Sequence, residues 1–347
     1  MAAYSQISTT RPARSLSTIP PSQEETPLTQ TTQRILVTGA CGQIGSELIP
    51  VLRQRYGDTN VVATDIRPPE ADCLKDQGPF ELLNVCDRAR MDDIIARYAI
   101  DTVYHMAAIL SATGEENPTL AWDVNILGLV NVLEIARQRK LVRVFCPSSI
   151  AVFGPDTPHD CAPQTTILTP TTMYGVTKVT GELLGEYYVH RFGLDIRGVR
   201  YPGIISSETL PGGGTTDYAV DIFYHALKYK SYSCFVRSDT VLPMMYMPDC
   251  VKATMDLMDA DFNSLRSHCN FNLAGMSFSV EELANEIQKH IPDFVCDYAP
   301  DFRQAIADSW PQTIDDSPAR TQWGWRPRHD LKSMTRDMLE KLRPRLT

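Results

Sequence analysis

Two patterns alternate along the chain from residue 34 onward. Short runs of contiguous apolar and β-branched residues recur at 34–38, 60–64, 100–105, 142–146 and 194–200. Contiguous apolar runs are what strands buried on both faces need, because both pleated faces meet protein. Between them lie stretches long enough for crossover helices, at 45–56, 87–98, 117–139 and 174–192. Strand, helix, strand in repetition predicts an α/β fold with a doubly wound parallel sheet of Rossmann type. After about residue 201 the rhythm breaks. Residues 211–214 read as a glycine loop, 217–229 as a helix, and Ser279-Val-Glu-Glu282 as a capping box opening a helix to about residue 290. Residues 330–342 read as one more helix. The expected organisation is a sheet domain over 33–203, with later segments returning to it, and a smaller C-terminal α/β substrate-binding cap over 204–347.

The first 32 residues stand apart. Residues 1–23 carry no Asp or Glu, hold Arg11 and Arg14, and are rich in Ser and Thr. That is the composition of a mitochondrial transit peptide, so a mitochondrial location is expected, with a cytoplasmic one if the segment is only a tail. Lys plus Arg number 33 against 42 Asp plus Glu, a net charge of −9. Such an acidic chain offers no footprint for nucleic acid, and no apolar stretch reaches the roughly 18 uninterrupted residues of a membrane span. Nine cysteines without CxxC or zinc spacing predict free thiols and no metal site.

The first predicted strand runs into Thr38-Gly-Ala-Cys-Gly-Gln-Ile-Gly45, followed directly by a helical segment. A strand turning tightly into a helix needs small residues where backbone approaches a pyrophosphate, and the helix N-terminus offers its N–H groups to that anion. The spacing is Gly39-x-x-Gly42-x-x-Gly45. Asp65 ends the second predicted strand, where a carboxylate accepts hydrogen bonds from adenine-ribose hydroxyls and repels a 2′-phosphate. NAD is therefore expected over NADP, with Arg67 acting in the opposite direction.

Tyr174-Gly-Val-Thr-Lys178 opens a helix and puts a phenol and an ammonium on one face, one turn apart. An adjacent ammonium stabilises a phenolate, which makes a phenol useful as a base. Ser148-Ser149 follows the strand that should end beside the nicotinamide, and a hydroxyl there can polarise a reacting oxygen.

These motifs, with Asn84-Val85, His105-Met-Ala-Ala108, Asn125 and Pro147-Ser-Ser149, resemble those of the extended short-chain dehydrogenase/reductase superfamily. Within it, Ile109-Leu-Ser-Ala-Thr-Gly-Glu115, Ser149-Ile-Ala-Val-Phe-Gly-Pro155, Arg200-Tyr-Pro-Gly203, Pro211-Gly-Gly-Gly-Thr-Thr-Asp-Tyr218 and Asp308-Ser-Trp-Pro311 look like the short-chain L-threonine 3-dehydrogenases. The resemblance implies Tyr174 as general base, Lys178 as its modifier and ribose ligand, and Ser149 as the polarising hydroxyl. It implies NAD held by Gly39, Gly42, Gln43, Ile44, Gly45, Asp65, Ile66, Arg67, Asn84, Val85, Ala107, Ala108, Asn125, Tyr174, Lys178, Tyr201 and Ile204. Asn84 stands where many relatives carry an acid. L-threonine would lie against Ser111, Ser149, Tyr174, Gly214, Thr215 and Thr216, with Trp310 closing the pocket. A homodimer is implied through the helices at 117–139 and 174–192. The product, 2-amino-3-oxobutyrate, would decarboxylate or pass to a CoA-dependent ligase.

Two other readings stay open on the residues. A nucleotide-sugar 4-epimerase shares fold, cofactor and YxxxK. Residues 201–300 hold six Lys/Arg against 13 Asp/Glu, a poor surface for a pyrophosphate-bearing substrate. A dehydratase is disfavoured by Ile150-Ala151, where an acidic pair would be expected. A non-catalytic NAD(P)-sensing protein would not need both Tyr174 and Lys178.

Overall fold

The apolar runs fall where burial on two faces puts them. The computed structural model describes residues 33–69, 74, 77–210 and 212–346; the segment read as a transit peptide lies outside them, as does Pro211. Strand β1 (Ile35–Thr38) is buried along its whole length and pairs with β2 (Val61–Asp65) on one side and β4 (Thr102–His105) on the other. With β3 (Phe80–Leu82), β5 (Arg143–Phe145) and β7 (Ile196–Arg197) they form a six-stranded sheet of order β3-β2-β1-β4-β5-β7. Every pairing in it is parallel. The order reverses between β1 and β4, and a crevice beyond that switch point is where such sheets bind ligands. Strand β3 is only half-buried at the sheet edge and escaped the apolar-run pattern.

Helices cover both faces. On one lie α2 (Arg88–Arg97), α5 (Gly128–Arg139) and α6 (Met173–Phe192), whose Ile94, Leu133 and Val189 pack on Leu36, Val103 and Val144. On the other, α1 (Gln43–Tyr56) and α8 (Met247–Asp259) pack on Ile35, Val37 and Ala63, closed by the buried Trp325 beyond α11 (Ser317–Gln322). The short α3 (Ser111–Glu116) and α4 (Pro118–Trp122) lead into α5.

Two expected elements are broken. Residues 194–200 form two strands rather than one: β7 pairs with β5, whereas β8 (Val199–Tyr201) pairs with β6 (Ser148–Ser149) and β12 (Phe271–Asn272). Gly198 lies between them, and a Cβ there would stand 2.4 Å from the Cys146 carbonyl oxygen. The expected helix over 117–139 contains a π turn at Asp123–Leu127 between α4 and α5. The Pro118–Arg139 rod is long and apolar enough to cross a membrane by length and composition, but 56% of its most apolar stretch is buried. That burial is the mark of a core helix.

The remaining elements build the cap. β9 (Gly203–Ile205), β11 (Val241–Tyr246) and β13 (Met276–Ser279) form one small sheet, and β10 (Ser231–Cys234) pairs with β14 (Val295–Tyr298). Helices α7 (Tyr218–Tyr229), α9 (Val280–Gln288), α10 (Arg303–Asp308) and α12 (Leu331–Leu346) enclose a core that includes Phe223, Val236, Leu283 and Met338. The Ser279/Glu282 capping box is present in both directions.

Candidate active site

The switch point opens into a cleft of about 340 Å³. Its floor is the turn from β1 into α1. Gly39 has φ +67°, and a Cβ on it would stand 2.6 Å from the Ala107 nitrogen. A Cβ on Gly45 would stand 2.3 Å from the Gly39 carbonyl oxygen. Only glycine fits either place, so the loop lies flat against β4 and leaves room above it. Gly42 caps α1, and Gln43 Nε2 is buried there without a partner among the described residues. A crowded glycine cradle, a helix N-terminus and an orphan amide donor match a pyrophosphate.

Asp65 lies just behind this turn. Its Oδ2 accepts from Cys41 N–H at 2.9 Å and its Oδ1 from Arg67 N–H at 3.3 Å. Arg67 lines the cleft and donates to the Cys41 carbonyl. Gly39, Gly42, Gln43, Ile44, Gly45, Ala108, Tyr201 and Ile204 also line it, whereas Asp65, Ile66, Asn84, Val85, Ala107 and Asn125 do not. Asn84 is exposed and accepts from Cys86 N–H. Val85 is buried against Gly128. The buried Asn125 accepts from Ile109 N–H and donates to Ile109 O and Thr177 Oγ1, tying the π turn to α6.

Across the cleft stands α6, capped by Thr172. Tyr174 and Lys178 share the face predicted by their spacing, with Lys178 Nζ 5.4 Å from the Tyr174 ring centre. Lys178 donates one hydrogen to the Pro147 carbonyl at 2.8 Å. Its other two remain for whatever enters the cleft. Ser149 Oγ accepts from Ala151 N–H at 3.2 Å, which leaves the serine hydrogen free to donate. Burial and the neighbouring Lys178 ammonium push the His105 imidazole down to about 3, so it is neutral behind the site.

The far wall joins the start of α3 to the cap. Ser111 Oγ and Thr215 Oγ1 are buried 3.3 Å apart, and Thr216 and the buried Trp310, just beyond α10, complete the wall. The loop carrying Gly213 and Gly214 is held by Asp217, whose Oδ2 accepts from both N–H groups at 3.0 and 2.6 Å. Burial raises the Asp217 carboxyl to about 6 despite those two donors, and the Asp221 charge adds to the shift. Asp217 itself lines the cleft, a position overlooked in the sequence although it sits inside the quoted Gly-Gly-Gly-Thr-Thr-Asp-Tyr segment. Met106, Leu110 and Ile150 supply apolar lining that strand and turn patterns do not reveal.

A model of the NAD dependent epimerase/dehydratase family matches residues 35–274. The chain belongs to that family. A relative from Staphylococcus haemolyticus, an uncharacterized epimerase/dehydratase, is 52% identical over 311 residues, covering 89% of this chain and 98% of that protein. The L-threonine dehydrogenase of Phytophthora infestans is 55% identical with a TM-score of 0.87, covering 90% of this chain and 100% of that structure. A monomeric L-threonine 3-dehydrogenase from a metagenome database is 49% identical with a TM-score of 0.87, over 90% of this chain and 100% of that one. A UDP-glucose 4-epimerase of Thermotoga maritima is 22% identical with a TM-score of 0.79 over 90% of this chain and 99% of that one, a likeness of fold alone. The epimerase/dehydratase family and these threonine dehydrogenases support an NAD-dependent oxidoreductase. The staphylococcal relatives give the mitochondrial expectation no support.

Proposed function

We propose that this epimerase/dehydratase family member oxidises the C3 hydroxyl of L-threonine to give 2-amino-3-oxobutyrate. The observation that carries the reading is one cleft in which Tyr174, Lys178 and Ser149 face the buried Ser111/Thr215 hydroxyl pair and Trp310. The likeness to threonine dehydrogenases over nine-tenths of the chain supports the choice of substrate. A sugar nucleotide would bring a second pyrophosphate to a wall whose lining holds Asp217 and hydroxyls.

NAD, when bound, supplies the hydride acceptor. The glycine turn and the α1 N-terminus would hold its pyrophosphate, Gln43 Nε2 its phosphate oxygens, and Lys178 and Asp65 its two riboses. Asp65 already accepts two backbone N–H bonds, which fixes its carboxylate at the end of β2. The proposed preference for NAD over NADP rests on that fixed charge.

The chain's own residues do the rest. Tyr174 oxygen takes the proton of the C3 hydroxyl. The Lys178 ammonium, held by Pro147 O, stabilises the phenolate that accepts it. The free hydrogen of Ser149 donates to the substrate oxygen and orients it. Ser111, Thr215 and Thr216 offer hydroxyls to the amino-acid end, and Trp310 shuts out water. The β-keto acid formed then loses carbon dioxide or is consumed by a CoA-dependent ligase.

We retain the division into a sheet domain over 33–203 and a cap mainly over 204–347 as a working boundary. A homodimer is proposed through the outer faces of α4 to α6, where Leu120, Trp122, Leu127, Val176, Leu183 and Tyr187 are exposed. Sedimentation showing a monomer at micromolar concentration removes it. The function itself is tested by NADH formation from L-threonine by folded, NAD-saturated protein. Absence of L-threonine-dependent NADH formation sinks the reading.

A further inference from the structure

Further along the face of α6 that carries Tyr174 and Lys178 lies a buried polar network that the mechanism above does not use. Glu182 stands one turn beyond Lys178 and two beyond Tyr174, on the same side of the helix. Its carboxylate is buried and meets the Arg200 guanidinium side by side, through Nε and Nη2, both at 2.8 Å. Arg200 spends its Nη1 on Asn272 Oδ1 and the Gln164 carbonyl. The pair is thus neutral and nearly saturated, as a buried ion pair must be to persist.

One further bond leaves this pair toward the site. Ser148 Oγ donates to Glu182 Oε1 at 2.5 Å, and Ser148 is itself buried. Its chain neighbour is Ser149. The strand that carries both, β6, is only two residues long and, among the described residues, pairs with β8 alone. So short a strand has little backbone bonding to hold its exact place. Side chains of α6 supply the remainder at two successive turns: Lys178 to Pro147 O, and Glu182 to Ser148 Oγ.

Beside these two bonds is a small cavity of about 30 Å³, lined by His105, Asn125, Ser148, Lys178 and Glu182 among others. His105, whose buried Nε2 has no partner among the described residues, belongs to its lining. Apolar packing holds α6 to the chain just beyond, at Ile150 and Ala151. At the strand end itself the cavity leaves the two polar pins as the direct ties.

We propose that Glu182, acting through Ser148, is a positioning residue for the reaction: it fixes the Pro147–Ser149 strand end, and so the Ser149 hydroxyl, at the right distance from Tyr174. A plain stabilising ion pair would need Arg200 alone. The Ser148 bond reaches further, and it is the part to remove. The inference rests on the dehydrogenase reading only in its kinetic arm.

The experiment is Ser148→Ala, which deletes the pin and leaves the Glu182–Arg200 pair intact. Two measurements read it. In NAD-free protein, hydrogen exchange of the amides of residues 148–151 should quicken by about tenfold while β1 and β4 keep wild-type protection. With saturating NAD and L-threonine, kcat should fall by about tenfold while both KM values stay near wild type. Should the alanine variant not fold, Ser148→Cys replaces the hydroxyl with a weak donor of similar size and is read the same way. Unchanged exchange at 148–151 overturns the proposal whether or not L-threonine is the substrate. Wild-type kcat in a variant with faster exchange overturns it too, since the pin would then hold structure without serving the reaction. An inactive wild-type protein is a failure of the functional reading, and the exchange arm still decides the pin.

Discussion

Two glycine turns face each other across the cleft, and they are built in opposite ways. The turn at Gly39–Gly45 is walled by backbone: hypothetical Cβ atoms would strike Ala107 N at 2.6 Å and Gly39 O at 2.3 Å. The turn at Gly212–Gly214 is walled by side chains, with the nearest atom to a Cβ on Gly214 being Asp217 Oδ1 at 2.6 Å. One is shaped by atoms that cannot move without the sheet. The other is shaped by a carboxylate on α7's approach that can swing or take a proton. The cofactor turn is thus walled by fixed backbone, and the substrate turn by an adjustable, ionisable side chain. Such a division suits a site that must hold one constant partner tightly and close over a second.

The largest effect expected lies between the turns. Tyr174→Phe removes the proposed base while keeping the ring that packs at the start of α6, so turnover should drop by about a thousandfold. NAD titration by fluorescence should stay near wild type, because neither turn is touched. A variant that retains near-native turnover breaks the mechanism, whatever the fate of the fold.

Next come paired alanine substitutions, which test the contrast directly. Gly45→Ala pushes a methyl into fixed backbone, a crowding worth about 2 kcal/mol, or roughly thirtyfold if it appears in NAD affinity. Gly214→Ala meets only the end of an aspartate side chain and should raise the KM for L-threonine a few-fold with NAD binding unchanged. Equal and similar losses from the two variants would dissolve the distinction between a backbone wall and a side-chain wall.

Smaller again is Asp65→Ala. Removing one charged acceptor should weaken NAD by about tenfold and narrow the gap to NADP, since the repulsion of a 2′-phosphate goes with it. Arg67, already beside the turn through its bond to Cys41 O, would then face that phosphate alone. A wild-type protein that uses both cofactors equally would show that Arg67 outweighs Asp65.

The two turns also differ in how far they could be read without a structure. The Gly39–Gly45 turn is local: strand, glycines and helix follow each other in sequence, so spacing alone located it. The Tyr174/Lys178 face follows from helical period for the same reason. Asp217 was visible as a letter in a motif, but its burial depends on how distant segments fold around it, and no local pattern reports that. Glu182 looked like one polar residue in a mixed helix. Its partners Arg200 and Asn272 come from distant segments, and only the sheet that leaves β5 for β8 brings them together. The break at Gly198 was hidden likewise, because a run of apolar residues does not show that its two halves choose different neighbours. Asn84 and Val85 lie outside the cleft lining, where a motif match could not say which face each residue shows.

The smallest expected effect is the one that only the adjustable turn can produce. Asp217 titrates at about 6, raised chiefly by burial, with Asp221 on α7 raising it further and Arg303 on α10 opposing. When ionised, its Oδ2 accepts from Gly213 and Gly214 N–H with full charge; when protonated, it remains an acceptor but a weaker one. The KM for L-threonine should therefore rise a few-fold as pH falls through about 6, while NAD affinity stays flat over the same range. Stability moves the other way. A folded-state value raised above the unfolded one, near 3.9 for an aspartate, means the folded protein binds the proton more tightly. Its stabilising contribution is complete below about 4 and is lost as pH climbs through about 6. Asp217→Asn keeps one carbonyl oxygen for the two glycine N–H groups and never ionises. It should flatten the pH dependence of KM and gain in Tm relative to wild type as pH goes from 4 to 7.5. Parallel KM profiles for the two proteins between pH 5 and 7.5 would mean that the loop is held by something other than the Asp217 charge, and the two turns would then be alike in the respect that matters.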